Sequence, residues 1–249
     1  MSGHSKWSTI KRAKGAADAK RGQLFTKLAR EISVAARQGL PDPEYNFRLR
    51  LAVERARASS MPKENIERAI AKAAGEGGGD NFEEISYEGY GPGGAAMIVL
   101  AMTDNRNRTV GEVRAAFTRA GGSLGESGSV GWMFDHVGLV VIDPKGADPD
   151  EIALVAIDAG ANDVVTDDPE AVEVYTEVAD LHTVQEALRS AGYDIASAEL
   201  TMKPKTLVTP EPDLAVKVIR LVEKLEDLDD VQTVYTNIDI TDDVLAQVN

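Results

Sequence analysis

Apolar residues recur every three or four positions in the first part of the chain, and this spacing predicts helices. The first predicted helix carries such a stripe at Leu24, Leu28, Ile32 and Ala35. A second helix is predicted from about Tyr45, and a third follows Pro62, a residue suited to a first helical turn. The glycines within residues 75–79 end the third helix and indicate a flexible linker. The pattern therefore predicts a domain of three helices over residues 1–78.

The period of the pattern changes after this linker, and predicted strands begin to alternate with helices. Residues 95–102 form an unbroken apolar run, which is typical of a strand covered on both faces. Residues 137–203 contain the element order βαββαβ, which is typical of a ferredoxin-like domain. A strand at residues 130–136 and a short extended segment at residues 206–208 are predicted on either side of that domain.

The elements that flank this domain lack partners of their own, so they predict a second ferredoxin-like domain that is discontinuous in sequence. Residues 82–136 supply its first part, and residues 204–249 complete it with a helix and a last strand at residues 231–240. Residues 137–203 are then an insertion. The expected fold class is α+β, with an N-terminal three-helix domain plus two ferredoxin-like α/β domains, the third domain inserted into the second.

Charge divides the chain at the same linker. Residues 1–80 hold 16 Lys and Arg against 9 Asp and Glu, and residues 81–249 hold 11 against 32, so the net charges are +7 and −21. A basic segment is attracted to the phosphates of DNA or RNA, whereas an acidic body is repelled by them. The division therefore predicts that nucleic acid docks on one face and is not wrapped by the protein.

The cations of the N-terminal segment are the first candidates for contact with nucleic acid. Lys and Arg neutralise phosphates, and an aromatic ring stacks on a base. The candidate residues in this segment are Lys6, Trp7, Lys11, Arg12, Lys14, Lys20, Arg21, Lys27 and Arg30. The alternative is that this is only a solvated basic face of amphipathic helices.

Arg106 and Arg108 are further candidates, in a loop between the buried strand and the helix that follows it. Arginine suits phosphate and base-edge contacts. The alternative is a loop at a helix N-terminus in which Asp104 or Thr109 caps the helix and both arginines pair with carboxylates. Both interpretations stay open at this stage.

The sequence offers little for catalysis. With no cysteine, the chain has no disulfide, thiolate nucleophile or cysteine-based zinc site. Residues 89–94 satisfy G-x-G-x-x-G but precede a strand, so a turn is favoured over a dinucleotide loop. The Gly-rich residues 121–131 are interpreted as a flexible connection, and the acidic clusters, including Asp227, Asp229 and Asp230, as turn and capping residues. We expect no enzymatic activity, cofactor, metal or small-molecule substrate.

Four motifs, in order, resemble the YebC/PmpR family, which includes the mitochondrial translational activators of cytochrome oxidase. They are GHSKWSTIKRAKGAADAKRGQLFTKLAREI, MPKENIERAIAKAAG, YEGYGPGGAAMIV and DNRNRT…VR…F…GGSLGESGSVGWMF. The resemblance spans nearly the full chain. It implies three domains and a bacterial cytosolic protein with no reaction of its own. Members are described as DNA-binding transcriptional regulators or as translation factors that act at the ribosome.

The sequence thus predicts a non-enzymatic, nucleic-acid-binding regulator of gene expression in the cytoplasm, of the DNA-binding transcriptional type. The alternative is a ribosome-associated translation factor that binds ribosomal RNA or tRNA. A third class is an interaction scaffold whose basic segment binds an acidic protein. We also expect an acidic cleft between the two α/β domains, suited to a basic protein partner. The longest apolar run falls far short of a membrane span, so no membrane partner is expected.

Overall fold

The computed structural model describes residues 18–75, 81–240 and 244 of the chain. These residues form seven α-helices and eight strands, and the strands make two four-stranded sheets. They divide into two compact units, one of residues 134–203 and the other of the remaining described residues. The α+β fold class is confirmed. The three domain boundaries stay predictions, because the N-terminal helices share a compact unit with the first sheet.

Three helices begin the described chain: α1 (Asp18–Gln38), α2 (Phe47–Ala58) and α3 (Lys63–Ala74). Their apolar stripes meet in one core, which confirms the helical prediction. That core contains Leu28, Ile32, Ala35, Leu49, Ala52, Val53, Ala56, Ile66 and Ala69. Asn46 links α1 to α2, since its side chain accepts from the Leu49 N–H and donates to the Ala35 carbonyl. This is an N-cap that also fixes the turn between the two helices.

The first sheet contains strands β1 (Glu83–Tyr90), β2 (Ala96–Thr103), β3 (Ser123–Leu124) and β8 (Val231–Thr236), in the spatial order β3-β1-β2-β8. Helices α4 (Arg106–Arg119) and α7 (Pro212–Glu226) pack on it. Met97 and Val99 of β2, Phe117 of α4 and Ile219 of α7 belong to the shared core. All of β2 except Leu100 is buried, as the apolar run predicted.

Two predicted strands of this sheet are wrong. Residues 130–136 do not form one strand, because Gly131–Met133 is a 3₁₀ turn and Phe134 begins a strand of the other sheet. Residues 206–208 make only one parallel bridge, Val208 to Ile238. The place beside β2 is taken by β1, which pairs with it from Glu83↔Thr103 to Tyr90↔Ala96. A hairpin between β1 and β2 closes a far shorter loop than pairing of β2 with a strand at residues 130–136 or 206–208 would close.

The second sheet lies in the unit of residues 134–203 and has the predicted order βαββαβ. Its elements are β4 (Phe134–Asp143), α5 (Pro149–Asp158), β5 (Asp163–Asp168), β6 (Ala171–Thr176), α6 (Leu181–Ser190) and β7 (Asp194–Pro204). The strands lie in the order β5-β6-β4-β7. The first sheet does not have this predicted order along the chain, since β1 precedes β2, whereas β6, at the corresponding place in the second sheet, follows β4 and β5.

The chain leaves the unit that contains the first sheet at residue 133 and returns to it at the same place. The Lys205 N–H donates to the Met133 carbonyl at 2.9 Å. These two residues flank the inserted segment 134–203. A backbone hydrogen bond within the unit that contains the first sheet therefore holds the two ends of the insertion together.

Candidate nucleic-acid interface

Several of the predicted contact residues lie outside the described part of the chain. They are Lys6, Trp7, Lys11, Arg12 and Lys14, together with the side chain of Lys20. Their contact with nucleic acid stays a prediction.

Lys27 and Arg30 of α1 were also predicted to contact nucleic acid. In the structure they lie against the part of the chain that forms the first sheet and its helices. Lys27 Nζ donates to the carbonyl of Glu226, the last residue of α7, at 2.5 Å. Arg30 donates to the Asp229 carbonyl at 2.5 Å, and its guanidinium lies over the Phe82 ring at 4.9 Å. Cations are favoured at a helix C-terminus because the terminal carbonyls are partly negative. Both side chains thus hold α1 at the end of α7, while Arg21 is exposed.

Asp230 is the centre of this contact. It is only 2% exposed, and one carboxylate oxygen accepts from Arg30 at 3.1 Å. The other oxygen accepts from Arg108 at 2.6 Å, from Thr109 at 2.8 Å and from Thr103 at 3.0 Å. Asp230 lies in the turn that follows α7, as predicted, but its carboxylate is buried and joins α1, α4 and β2.

The pKa of Asp230 is lowered by this environment. Burial by itself raises the pKa of a carboxyl, but hydrogen bonds from Arg108, Thr109 and Thr103 and the Arg108 charge outweigh it. In turn, hydrogen bonds to Asp230 and Asp104 raise the pKa of Arg108. The carboxylate and the guanidinium are thus fixed in their charged forms.

The loop that carries Arg106 and Arg108 is a helix N-terminus. Asn105, rather than Asp104 or Thr109, caps α4 by accepting from the Arg108 N–H at 3.1 Å. Arg108 also pairs with Asp104 at 2.8 Å, as expected if this loop is a helix N-terminus whose arginines pair with carboxylates. Arg106 remains exposed, at 3.7 Å from Glu83. Contact of either arginine with nucleic acid stays a prediction.

A groove of about 750 Å³ runs between α4 and α7. Its lining contains five exposed cations, namely Arg108, Arg119, Lys217, Arg220 and Lys224. Among the described residues of the lining, Glu112 is the one carboxylate, and the remaining residues are small or apolar, such as Gly111, Ala116 and Leu221. In the described part of the chain, four of these cations make no salt bridge, and Arg108 alone is paired.

The concentration of positive charge in this groove is high for such an acidic body. Residues 81–249 contain only 11 Lys and Arg, and five of them line the groove. Along α4, Arg108 and Arg119 are 11 positions apart, which corresponds to about 16 Å. That length is enough to contact several successive phosphates of one nucleic-acid strand. The groove can therefore neutralise several phosphates in a row.

The sequence alone did not reveal this groove. Lys217, Arg220 and Lys224 are spaced by three and four residues, so they share one face of α7. Arg119 lies on α4, about a hundred positions earlier. The helical spacing was a usable signal, but only the sheet pairing of β2 with β8 brings the two helices together.

The Gly-rich residues 121–131 are held by an internal carboxylate. Glu88 accepts from the N–H groups of Gly128, Val130 and Gly131 at 2.9, 2.7 and 2.6 Å. Burial raises the pKa of this carboxyl, but the three backbone hydrogen bonds together lower it by more. The net shift of the pKa is therefore downward. Three N–H groups of this predicted connection are therefore already bonded to an anion, and its flexibility stays a prediction.

Other predicted features are located as follows. Residues 91–95 form the tight turn between β1 and β2, with the Gly91 N–H donating to the Ala95 carbonyl at 2.8 Å, which confirms a turn. Within the described ranges, no three or more His, Asp or Glu side chains are grouped so as to hold a metal ion. The helices of those ranges include none long and apolar enough to cross a bilayer.

The helices, the two sheets and the groove define an α+β protein with a cationic groove on an acidic body. The chain belongs to the TACO1/YebC family. Its residues 5–76 match the model of the TACO1/YebC protein N-terminal domain, and residues 82–238 match that of the TACO1/YebC second and third domain. The resemblance drawn from the four motifs is thereby confirmed.

Relatives of the chain are found in several bacteria. It is 56% identical over 250 residues to a "Probable transcriptional regulatory protein" of Chloroflexus aggregans, with 99% of both chains covered. A protein of the same name in Pelotomaculum thermopropionicum is 56% identical, with 97% of this chain and 100% of that one covered. The crystal structure of a conserved hypothetical protein from Aquifex aeolicus is 49% identical, with a TM-score of 0.82 over 90% of this chain and 93% of that one.

Proposed function

We propose that this protein is a non-enzymatic, nucleic-acid-binding regulator of gene expression, and that its DNA-binding activity controls transcription. The cationic groove between α4 and α7 carries the proposal. The net charge of residues 81–249 is −21, yet five of their eleven cations line one groove. A surface of that kind binds a polyanion through counterion release. The names of the relatives agree with a role in transcription.

The N-terminal cations add to this surface in the proposal. Lys27 and Arg30 hold α1 at the C-terminal end of α7, and Lys224 of the groove lies in the last turn of α7. Residues 23–30 of α1 therefore lie beside the groove's Lys224 end. We expect Lys11, Arg12 and Lys14 to add to the positive charge that a bound strand meets.

The second candidate is a ribosome-associated translation factor. The acidic body favours it, because a net charge of −21 resists wrapping by duplex DNA and suits docking of one basic face. Such a factor recognises RNA shape with little sequence discrimination. The basic protein partner expected at an acidic cleft stays a prediction.

Charge reversal in the groove tests the proposal. The variant Lys217→Glu/Arg220→Glu is compared with Lys145→Glu/Arg189→Glu, which makes the same change in net charge in the unit of residues 134–203. Fluorescence anisotropy with labelled duplex DNA and with a ribosomal RNA fragment measures the affinities. We expect the groove variant to bind at least tenfold more weakly than the control. Equal affinities of the two variants would overturn the proposal.

A second experiment separates the two candidates. A transcriptional regulator protects a defined duplex sequence from nuclease digestion, whereas a translation factor travels with ribosomes through a sucrose gradient. The control variant serves as the positive sample in both assays. We expect duplex protection for the control and its loss for the groove variant. Ribosome co-sedimentation without duplex protection would replace the first candidate by the second.

A further inference from the structure

Helix α5 carries two large apolar side chains on its solvent side. Leu154 is 63% exposed and Ile157 is 57% exposed. The opposite side of the helix carries Ile152 and Ala156, which are fully buried. The core of this unit therefore uses the other side of α5, and the apolar surface of Leu154 and Ile157 is left in water.

Carboxylates surround Leu154 on the surface of this helix. Residues three and four positions apart are neighbours on a helix. Within α5, the four such neighbours of Leu154 are Asp150, Glu151, Ile157 and Asp158, and all four are exposed. These five residues, called the α5 face below, form an apolar pair with a rim of three negative charges.

The rim is not neutralised by the cations of its own unit. Residues 134–203 contain three cations, and each of them pairs with a carboxylate outside the rim. The pairs are Lys145 with Asp194, Arg189 with Glu186 and Lys203 with Asp163. Across the ranges that the structure describes, the three rim carboxylates make no salt bridge. The negative charge of the rim is therefore available to a ligand.

The position of Asp158 gives it no role in stabilising the helix. Asp150 and Glu151 lie in the first turn of α5, where the helix dipole favours a carboxylate. Asp158 is the last residue of the same helix, where the partly negative carbonyls disfavour one, and the last turn holds no cation. The rim thus extends over the whole length of the helix, beyond the part where local stability explains it.

The charge of the whole unit decides which occupants suit this face. Residues 134–203 hold 3 Lys and Arg against 16 Asp and Glu, a net charge of −13. Nucleic acid is repelled by such a unit, and so is the same face of a second copy. Charge complementarity therefore favours a basic partner. Leu154 and Ile157 require that this partner also be apolar where it touches them.

We propose that the α5 face binds a basic amphipathic helix of another protein, whose apolar stripe covers Leu154 and Ile157 and whose Lys and Arg side chains pair with the rim. An apolar centre within a polar rim is the usual arrangement of a protein interface. Charged residues beside an apolar seam form salt bridges between two helices and set the choice of partner. The inference does not rest on the proposed function, because the cationic groove belongs to the other unit.

Fluorescence anisotropy with a labelled peptide and the full-length protein tests the proposal. The probe is a helical peptide of Leu and Lys with Leu at every third or fourth position. The control peptide has the same composition in an order that gives no apolar stripe. We expect the patterned peptide to bind about tenfold more tightly, because only its stripe covers the apolar pair. Equal affinities would show that net charge alone attracts the peptide, and they would overturn the proposal.

Substitution of the apolar pair locates the binding site. Leu154→Gln/Ile157→Gln should weaken binding of the patterned peptide about tenfold, and Gln is a good helix former, so α5 is preserved. Leu40→Gln/Leu207→Gln, which removes two exposed apolar side chains in the other unit, is the matched control and should bind as the wild type does. Equal affinities of the two variants would place the peptide elsewhere and contradict the proposal.

Substitution of the rim tests the charge contribution. Asp150→Asn/Asp158→Asn should weaken peptide binding and make it less dependent on salt, since fewer ion pairs are screened. Glu64→Gln/Glu67→Gln removes two exposed carboxylates from α3 in the other unit and should leave both properties unchanged. The same salt dependence in both variants would count against pairing with the rim.

Sedimentation equilibrium of the full-length protein tests a second copy as the occupant. We expect the wild type and Leu154→Gln/Ile157→Gln to have the same mass in solution, since like charges keep two α5 faces apart. A wild-type oligomer that the substitution dissociates would show that a second copy covers this face, and the proposal of a basic partner would be overturned.

Discussion

Arg108 donates to a single carboxylate oxygen of Asp230 from both Nε and Nη2, at 3.2 and 2.6 Å. The two residues are 122 positions apart and belong to different segments of the discontinuous sheet unit. Arg108 also lines the cationic groove, so the same ion pair that joins these segments fixes one wall of the groove. Stability and charge arrangement are therefore coupled at Asp230.

Replacement of Asp230 by Asn should destabilise the fold by about 2 kcal/mol. Asn removes the charge that holds Arg30 and Arg108. Its NH₂ group cannot accept, so it either faces Arg30 and loses that pair or faces Thr103 and Thr109 and leaves both hydroxyls without this acceptor. Urea unfolding followed by circular dichroism measures the change. Asp229→Asn, an exposed neighbour with the same change in charge, should cost less than about 0.5 kcal/mol. Equal effects would show that the Asp230 contacts contribute little.

The pH dependence of stability should carry a contribution from Asp230. Its pKa is lowered in the folded state, so the unfolded chain binds this proton at the higher pH. The stabilisation is present above the unfolded pKa of about 3.9 and is lost as the pH falls through the folded value. Urea midpoints measured between about pH 6 and pH 3 should fall more steeply for the wild type than for Asp230→Asn. Parallel curves would contradict the lowered pKa.

Replacement of Glu88 by Gln should loosen the Gly-rich loop. A carboxylate accepts from all three N–H groups, whereas an amide presents one NH₂ towards a donor. We expect faster amide hydrogen exchange at Gly128, Val130 and Gly131, and a global loss of about 1–2 kcal/mol. Glu84→Gln on the same strand removes only the surface pair with Arg48 and should cost less than about 0.5 kcal/mol. Unchanged exchange at the three amides would show that Glu88 does not fix the loop.

Two glycine substitutions should have opposite effects. A Cβ at Gly89 would lie 2.6 Å from the Ser123 carbonyl oxygen and 3.0 Å from the Phe117 ring, so Gly89→Ala should destabilise by about 1–3 kcal/mol. A Cβ at Gly111 of α4 meets nothing within 4 Å, so Gly111→Ala should stabilise by about 0.5–1 kcal/mol. Thermal unfolding compares the two. A stabilising Gly89→Ala would contradict the close packing of β1 on α4.

Nucleic-acid affinity should fall steeply with salt. If about five phosphates are neutralised in the groove, the logarithm of the duplex binding constant should fall with the logarithm of salt concentration at a slope of about −4 to −5. The variant Lys217→Ala/Arg220→Ala/Lys224→Ala should make the slope shallower by about 2 to 3, because three fewer counterions are released. Anisotropy titrations at several KCl concentrations measure it. The same slope in both proteins would place the phosphates elsewhere.

The sequence pattern predicted a helix or strand well where burial of that element sets the spacing of its apolar residues. The stripe at Leu28 and Ile32 indicated α1, and the unbroken apolar run indicated β2, which is buried as expected. Strand β1 (Glu83–Tyr90) was not predicted from the sequence, because three glutamates and a serine leave few apolar positions in it. Its pairing with β2 decides its structure more than its own composition does.

The candidate site was harder to predict, since it depends on contacts between distant segments. Asp230 occurs in a run of acidic residues that looks like a surface turn, and only the fold places two arginines and two threonines around it. The cations of α4 and α7 likewise become one groove only after β8 pairs with β2. Sequence patterns carry the period of each element, but not which elements become neighbours.

The hydrogen bond between Lys205 and Met133 bears on how the molecule is put together. The 70 inserted residues, 134–203, begin and end at the same place. The insertion therefore places almost no geometric constraint on the first sheet, which acts as its host. The host can close β2 onto β8 whether the insertion has folded or not. Each piece can therefore acquire its own structure without waiting for the other, although they alternate along one polypeptide.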